Sequence, residues 1–443
     1  MTARAIMIAA PRSGGGKTTV TLGLLAAFKA MRVRVRGAKT GPDYIDPAFH
    51  EAATGRSSFN LDSWAMPQPL LNSLLDHSAH ETDFVIIESA MGLFDGLMAP
   101  DKARGAPADI AEQFGIPVVL VLDVSGQGQS AGAVAHGFAT FRPGLKVAGV
   151  ILNQVASARH LAMAESAVTS AGLKVLGAFM RDPTLVLPER HLGLVQAREH
   201  HDLAALLGHL ATRTQAALNL DDLYATAAPL PPHTQQQHFA LPPPGQRIAV
   251  ADDAAFSFFY GHLGQGWRDA GAELVPFSPL ADEGPDQSCD ACWLPGGYPE
   301  LYAGTLSAAS TFQDQLSQFA HHSPVHGECG GFMVLGRALE DSQGKIHAMA
   351  GLLNHVTSFA KRKMTLGYRE TIVRSPCILG EVGTRLRGHE FHYAQVIEPG
   401  QDAPLVDLFD GAGNSLGPAG GQRGRVSGSY FHVMAQQEHS NDI

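Results

Sequence analysis

Two stretches, far apart in this 443-residue chain, carry residue types whose spacing could do chemistry. The first, Ala9-Ala-Pro-Arg-Ser-Gly-Gly-Gly-Lys-Thr-Thr-Val20, follows an apolar run, Ala5-Ile-Met-Ile8, and leads into Thr21-Leu-Gly-Leu-Leu-Ala-Ala-Phe28. A strand, a glycine-rich turn closing on Gly-Lys-Thr and then a helix is the context of a phosphate-binding loop. The backbone N–H groups of Gly14, Gly15 and Gly16 and the positive end of the helix would cradle an anion. Lys17 would reach the β- and γ-phosphates of ATP, and the Thr18 hydroxyl would take a place on Mg²⁺. The loop departs from the usual pattern at Pro11, where glycine is expected, and Arg12 stands where a sister group of loops carries a second lysine.

The second stretch is His326-Gly-Glu-Cys-Gly-Gly331, between an apolar approach and a helical run. This is the strand, sharp turn and helix that expose a nucleophile above a sheet, with cysteine in the place of serine. The N–H groups of Gly330 and Gly297 are the expected oxyanion donors, and a helix N-terminus is expected to lower the Cys329 pKa. A cysteine nucleophile needs a base. Ser427-Gly-Ser-Tyr-Phe-His432 places a histidine at the end of a late apolar strand, the position such a base takes in a flavodoxin-like sheet. Two residues beyond it stands Met434, which cannot orient an imidazole by a hydrogen bond. A dyad, or an orienting group from elsewhere, is therefore expected, with Glu390 in Gly388-His-Glu-Phe-His-Tyr393 a candidate.

Polar residues near the phosphate loop add to its chemistry. Mg²⁺ wants oxygen ligands and keeps several waters, so one or two carboxylates suffice. Glu88 closes the apolar run Asp83-Phe-Val-Ile-Ile-Glu88, and Asp43 is a second candidate ligand. Asp43, Tyr44, Asp46 and Asp95 are candidates for an acidic substrate site. Lys39 could neutralise transferring phosphate charge, and Asn153, ending Val147-Ala-Gly-Val-Ile-Leu-Asn153, could meet the adenine edge.

The elements that must position these groups follow from patterning. Up to about residue 200, apolar strand-like runs alternate with helical ones, predicting an α/β domain with a mostly parallel sheet and ligands at the carboxyl ends of its strands. Thr226 to Gln246 holds six prolines and a glutamine run and reads as a linker. It divides the chain into residues 1–225 and 247–443, as its length also suggests. The second part alternates again and turns strand-rich after about residue 345. No apolar run of about 18 residues predicts a spanning helix, and the start lacks the pattern of a secretory signal. A net charge of −10 argues against a general nucleic-acid surface, and four cysteines suit a reducing cytoplasm rather than a disulfide framework. Cys289 and Cys292 have metal-ligand spacing without a second pair, and Lys361-Arg-Lys363 reads as a solvated turn or a catch for an acidic substrate.

Together, the phosphate loop, Gly41-Pro-Asp-Tyr-Ile-Asp-Pro47, Met91-Gly-Leu-Phe-Asp-Gly96, Leu294-Pro-Gly-Gly-Tyr-Pro-Glu300, Gly327-Glu-Cys-Gly-Gly331 and Ser429-Tyr-Phe-His432 resemble the cobyrinic/hydrogenobyrinic acid a,c-diamide synthases. The likeness spans nearly the whole chain. It implies an N-terminal synthetase domain like dethiobiotin synthetase and a C-terminal class I glutamine amidotransferase domain lacking the usual third triad acid. It places Cys329 and His432 on the nucleophile and base, and Asp43, Asp46, Glu88 and Asp95 on acidic positions around nucleotide and corrinoid. The implied co-substrates are ATP and L-glutamine with Mg²⁺, in the cytoplasm, without nucleic acid or membrane partners; a homodimer is compatible with it. ATP would turn the c and then the a carboxylate of the macrocycle into an acyl phosphate, and a shielded path would carry ammonia from the thiol site. The metal-free macrocycle is the weakly favoured substrate. Alternatives are the related enzyme acting on nickel sirohydrochlorin, cobyric acid synthase, and a phosphate-loop switch protein that amidates nothing.

Overall fold

The computed structural model describes residues 2–99, 103–182, 189–190, 193–200, 202–230, 232 and 238–437. The chain divides into two units: Met1–Trp64 with Gln68–Gln237, and Ala65–Pro67 with His238–Ile443.

In the first unit the apolar runs become buried strands: β1 (Arg4–Ala9), β2 (Val35–Thr40), β3 (Phe59–Leu61), β4 (Phe84–Glu88), β5 (Val118–Asp123), β6 (Val147–Val155) and β7 (Val175–Met180). They lie in the order β3-β2-β4-β1-β5-β6-β7, and the neighbouring pairs run parallel. Continuous runs such as Phe-Val-Ile-Ile suit strands covered on both faces. The order places the ends of β2, β4 and β1 side by side, with Ile8 and Lys39 both in register with Glu88. Helix α1 (Lys17–Ala30) leaves the glycine-rich turn directly. Asp46 opens α2 (Asp46–Thr54), with Pro47 in its first turn, where proline's missing N–H costs nothing. The expected linker contributes a short strand, Ala228–Pro229, antiparallel to the start of β1; its residues 231 and 233–237 lie outside the described residues.

The second unit holds a parallel sheet of Glu273–Phe277, Arg247–Ala251, Ala291–Leu294, Val325–Glu328 and Val426–Ser429, closed by the antiparallel Gly421–Arg423. A second, antiparallel sheet takes Ser415–Ala419, Val406–Asp410, Thr365–Val373, Arg385–His392 and His432–Gln436 in that order. His432 therefore does not end the strand Val426–Ser429, as expected; it opens the next strand, which belongs to the other sheet. Among the described residues no helix is long and apolar enough to cross a membrane.

Candidate functional site

The turn after β1 adopts the left-handed backbone at Gly14 and Gly16, conformations a side chain would oppose. Lys17 is largely buried, donates to the Arg12 carbonyl at 3.2 Å, and has a pKa lowered to about 8 by burial and then by Lys39. Arg12 is mostly exposed and reaches Asp123, at the end of β5, at 3.1 Å. Asn153 donates to the Gly15 carbonyl at 3.1 Å, and a Cβ on Gly16 would collide with its amide. Its side chain braces the loop.

The register of β1, β2 and β4 builds a buried charge network beside the loop. Thr18 Oγ1 donates to Glu88 Oε1 at 2.6 Å, Lys39 Nζ donates to the same oxygen at 2.9 Å, and His50 Nε2 lies 2.8 Å from Glu88 Oε2. Lys39 also pairs with Asp46 and lies 3.8 Å from Asp43 Oδ2. Burial opposes both charges, yet Lys39, His50 and Thr18 hold the Glu88 carboxyl well below its usual range. Asp46, Glu88 and Asp43 likewise hold the Lys39 ammonium above its usual value against the effect of burial. Burial and the nearby Asp43 push the Asp46 carboxyl up against the pull of Lys39.

The remaining candidates are tied to their own loops. Asp43 Oδ1 accepts from the N–H groups of Ile45 and Asp46 at 2.8 and 3.0 Å, fastening the entry to α2. Asp95 accepts from Gly92 N–H at 2.9 Å, and Tyr44 is buried. A hydroxyl and a carboxylate at hydrogen-bond distance, Thr18 and Glu88, form a hard-oxygen pair that fits Mg²⁺; Asp43 has one oxygen outside its capping contacts. Among the described residues no group of three or more His, Cys, Asp or Glu has the arrangement of a metal cluster, and Cys289 and Cys292 are free and buried. Lys361, Arg362 and Lys363 are exposed, with Arg362 over the Phe359 ring at 5.0 Å.

In the second unit Cys329 stands between Val325–Glu328 and the short helix Gly330–Leu335 with φ 45° and ψ −100°. A non-glycine residue at positive φ is strained, and such strain persists where the surroundings over-determine it. Here Cys329 N–H donates to the Ser429 carbonyl at 2.8 Å and Gly331 N–H to the Pro295 carbonyl at 3.0 Å. A Cβ on Gly296 would overlap His432 Cε1 while lying 3.2 Å from its Nε2 and 3.3 Å from Cys329 Cβ. Gly296 thus leaves the space in which thiol and imidazole converge. Gly297 N lies 2.9 Å from where a Gly330 Cβ would stand, so the two expected oxyanion donors are neighbours.

One expectation is overturned. The Cys329 thiol is not acidified: burial pushes its pKa up, Glu300 adds to this, and the Gly330 N–H only partly offsets it. The helix is six residues long and Cys329 is buried, so desolvation of a thiolate outweighs the helix end. Burial, with His389 and His392 nearby, also keeps His432 neutral, which is the form that can accept a proton. Glu390 is engaged by Arg369 at 2.7 Å. The carboxylate that does lie near the imidazole is Glu328, its Oε2 4.0 Å from His432 Nδ1.

Sequence reasoning missed His50 and Glu328. Both signals were present but weak: a histidine one helical turn beyond Asp46, and an acid immediately before the nucleophile where the strand ends. Neither stands out without the partner strand's register.

Comparison with known proteins bears on both sites. Residues 6–195 match a family model described as a CobQ/CobB/MinD/ParA nucleotide binding domain, and residues 247–440 one described as a CobB/CobQ-like glutamine amidotransferase domain. The chain is 60% identical over 436 residues to a hydrogenobyrinate a,c-diamide synthase of Mesorhizobium japonicum, covering 98% of this chain and 99% of the relative. Proteins of that name from Agrobacterium fabrum and Rhodobacter capsulatus are 56% and 53% identical, each across 98% of this chain and 100% and 99% of their own lengths.

Proposed function

This chain belongs to the hydrogenobyrinate a,c-diamide synthase family, and from that premise we propose that it amidates the c and then the a carboxylate of a corrinoid polycarboxylate with ATP and glutamine. It is a glutamine-dependent amide-forming ligase. A carboxylate is a poor acyl donor because its leaving group is oxide; transfer of the γ-phosphoryl group of ATP makes an acyl phosphate that ammonia can attack. Gly14, Gly15, Gly16, Arg12 and Lys17 hold the phosphates, with Asn153 near the base, and Lys39 balances charge from within the buried network. Thr18 and Glu88, with the outer oxygen of Asp43, would hold Mg²⁺, which would supply electrostatic neutralisation of the phosphates. Asp43, Tyr44, Asp46 and Asp95 line the acidic substrate side.

The synthetase part is residues 1–225, the linker 226–246 and the amidotransferase part 247–443. In the latter, Cys329 Sγ attacks the glutamine side-chain carbonyl as His432 takes its proton. A C–S bond forms, the C–N bond breaks, and the departing nitrogen leaves as ammonia with that proton. The N–H groups of Gly297 and Gly330 receive the charge on the carbonyl oxygen, and water then releases glutamate from the thioester. The metal-free macrocycle is the preferred substrate, as the relatives' names suggest, and the enzyme works in the cytoplasm.

The observation that carries this reading is the strained Cys329 beside His432 in the same chain as the Lys17–Thr18–Glu88 loop. Incubating the pure protein with ATP, glutamine and hydrogenobyrinic acid, cobyrinic acid or nickel sirohydrochlorin, and weighing the products, tests it. Two amide substitutions on hydrogenobyrinic acid are expected. Amidation of the nickel macrocycle alone, or no amidation of any, would overturn it.

A further inference from the structure

The usual orienting acid is missing two residues beyond His432, where Met434 stands fully buried. The surroundings of the imidazole show what takes its place. Across the antiparallel pair, His389 lies in register with His432, the two rings 5.2 Å apart, and its Nδ1 is engaged by the Tyr260 hydroxyl at 3.0 Å. His392 stacks on Tyr430 and its Nδ1 lies 2.8 Å from the Ala394 carbonyl. Glu390 is held by Arg369, while His262 lies 2.9 Å from the Met434 carbonyl. Glu300 acts on the Cys329 thiol, and the buried Tyr430 hydroxyl feels that thiol in turn. Among the described residues, the ion-pair geometry at Nδ1 is with Glu328, which like His432 is buried. Its other oxygen, Oε1, accepts the N–H of Val433 at 2.9 Å. That bond ties the last residue of the nucleophile's strand to the residue following the base, so one side chain sets both Cys329 and His432.

We propose that Glu328 is the positioning residue of the glutamine-hydrolysing site, acting through His432 Nδ1 in the role that the absent acid would have filled. The inference rests on the amidotransferase reading above. When His432 accepts the Cys329 proton it becomes an imidazolium at a buried site, and Glu328 in its ionised form, four ångströms away, offsets part of that cost. Glu328 takes no proton from substrate and forms no bond to it. Because the two groups are buried side by side, ionising one bears on the other. Burial pushes the Glu328 carboxyl up to about 8, whereas His432 is pushed the other way. The acid limb of glutamine hydrolysis therefore belongs to the pair rather than to a lone histidine.

The test is steady-state glutamine hydrolysis across pH in the full chain, comparing Glu328→Gln and Glu328→Asp with the unmodified protein. Glu328→Gln should lower kcat by ~10- to 100-fold with KM changed by less than about threefold. It should also move the acid limb of kcat/KM down by about one pH unit, since no carboxylate then supports the imidazolium. Glu328→Asp, which keeps the charge at greater reach, should fall between the two in both readouts. A kcat within about twofold of the unmodified protein, or a loss with the limb unmoved, would overturn the proposal. If Glu328→Gln fails to fold, by circular dichroism, Glu328→Asp decides alone: a displaced limb supports the proposal and an unmoved one removes it. An unmodified protein that hydrolyses no glutamine at any pH would sink the amidotransferase reading itself, a result distinct from either.

Discussion

The two sites are buried to a similar degree but solve burial in opposite ways. Around the phosphate loop, Lys39, Glu88, Asp46 and His50 are buried as charged or hydrogen-bonded partners, each satisfied by the next. Around Cys329 the groups are kept neutral: the thiol is protonated, His432 is uncharged, and burial is the leading cause of each shift. The reason lies in the chemistry. A phosphate-handling site must meet several negative charges at once, so its charge has to be in place beforehand. A thiol that attacks one amide needs charge only during the reaction, and a resting thiolate in a dry site would be costly. It would also invite oxidation.

The sharpest way to break this comparison is to remove one centre at a time. Cys329→Ala should abolish glutamine-driven amidation, by about 10³-fold or more, while amidation driven by added ammonia persists. Loss of both would show that the two chemistries are not separable. Lys17→Ala should do the converse, lowering amidation from either nitrogen source by ~10²- to 10³-fold while glutamine hydrolysis survives.

Stability should divide along the same line. Glu88→Gln leaves Lys39 and His50 short of a charged partner at a fully buried site, and should cost roughly 3–5 kcal/mol in denaturant unfolding of the first unit. Acid should act first on the second unit. There His262 and His355 have pKa values lowered to about 4, and His326 and His389 to about 3, burial leading in every case. An unfolded histidine takes its proton near pH 6.5, so the unfolded state binds more protons below that. Stability should then fall by roughly 1.4 kcal/mol per histidine per pH unit. Glu328, raised to about 8, works in the opposite sense, but it is one group against several. Glu88, with its pKa held down, stabilises above its unfolded value of about 4.5 and fails only as pH drops further. Hydrogen exchange followed between pH 7 and 4 should show peptides of the second unit opening first; the reverse order would contradict the comparison. The smallest effect is expected at Asn153: Asn153→Ala removes one brace of the loop, worth about 1 kcal/mol, and should raise the KM for ATP a few-fold without touching glutamine hydrolysis.

Much of the fold was legible because local pattern and tertiary role agree. Strands β1, β4 and β5 are apolar but for one end residue each, Arg4, Glu88 and Asp123, as strands covered on both faces tend to be. The family resemblance drawn from the motifs agrees with the close relatives. Less legible were residues whose meaning depends on a neighbour from another strand. Asn153, expected at a base edge, also donates to the Gly15 carbonyl, a contact only the fold reveals. His432 was expected at the end of a strand and instead begins one in a different sheet, because the turn Tyr430-Phe431 carries the chain between sheets.

From its sequence alone the chain determined which chemistry each half could attempt, since a glycine-rich turn before a helix and a cysteine on a sharp turn are local devices made by adjacent residues. Only the tertiary structure decided the protonation of those groups and their partners. Whether a carboxylate is an ion-pair partner, as Glu88 is, or lies beside an imidazole, as Glu328 does, depends on strand register and on the exclusion of water. Both are set by contacts between residues tens to hundreds of positions apart, and no window of sequence contains them.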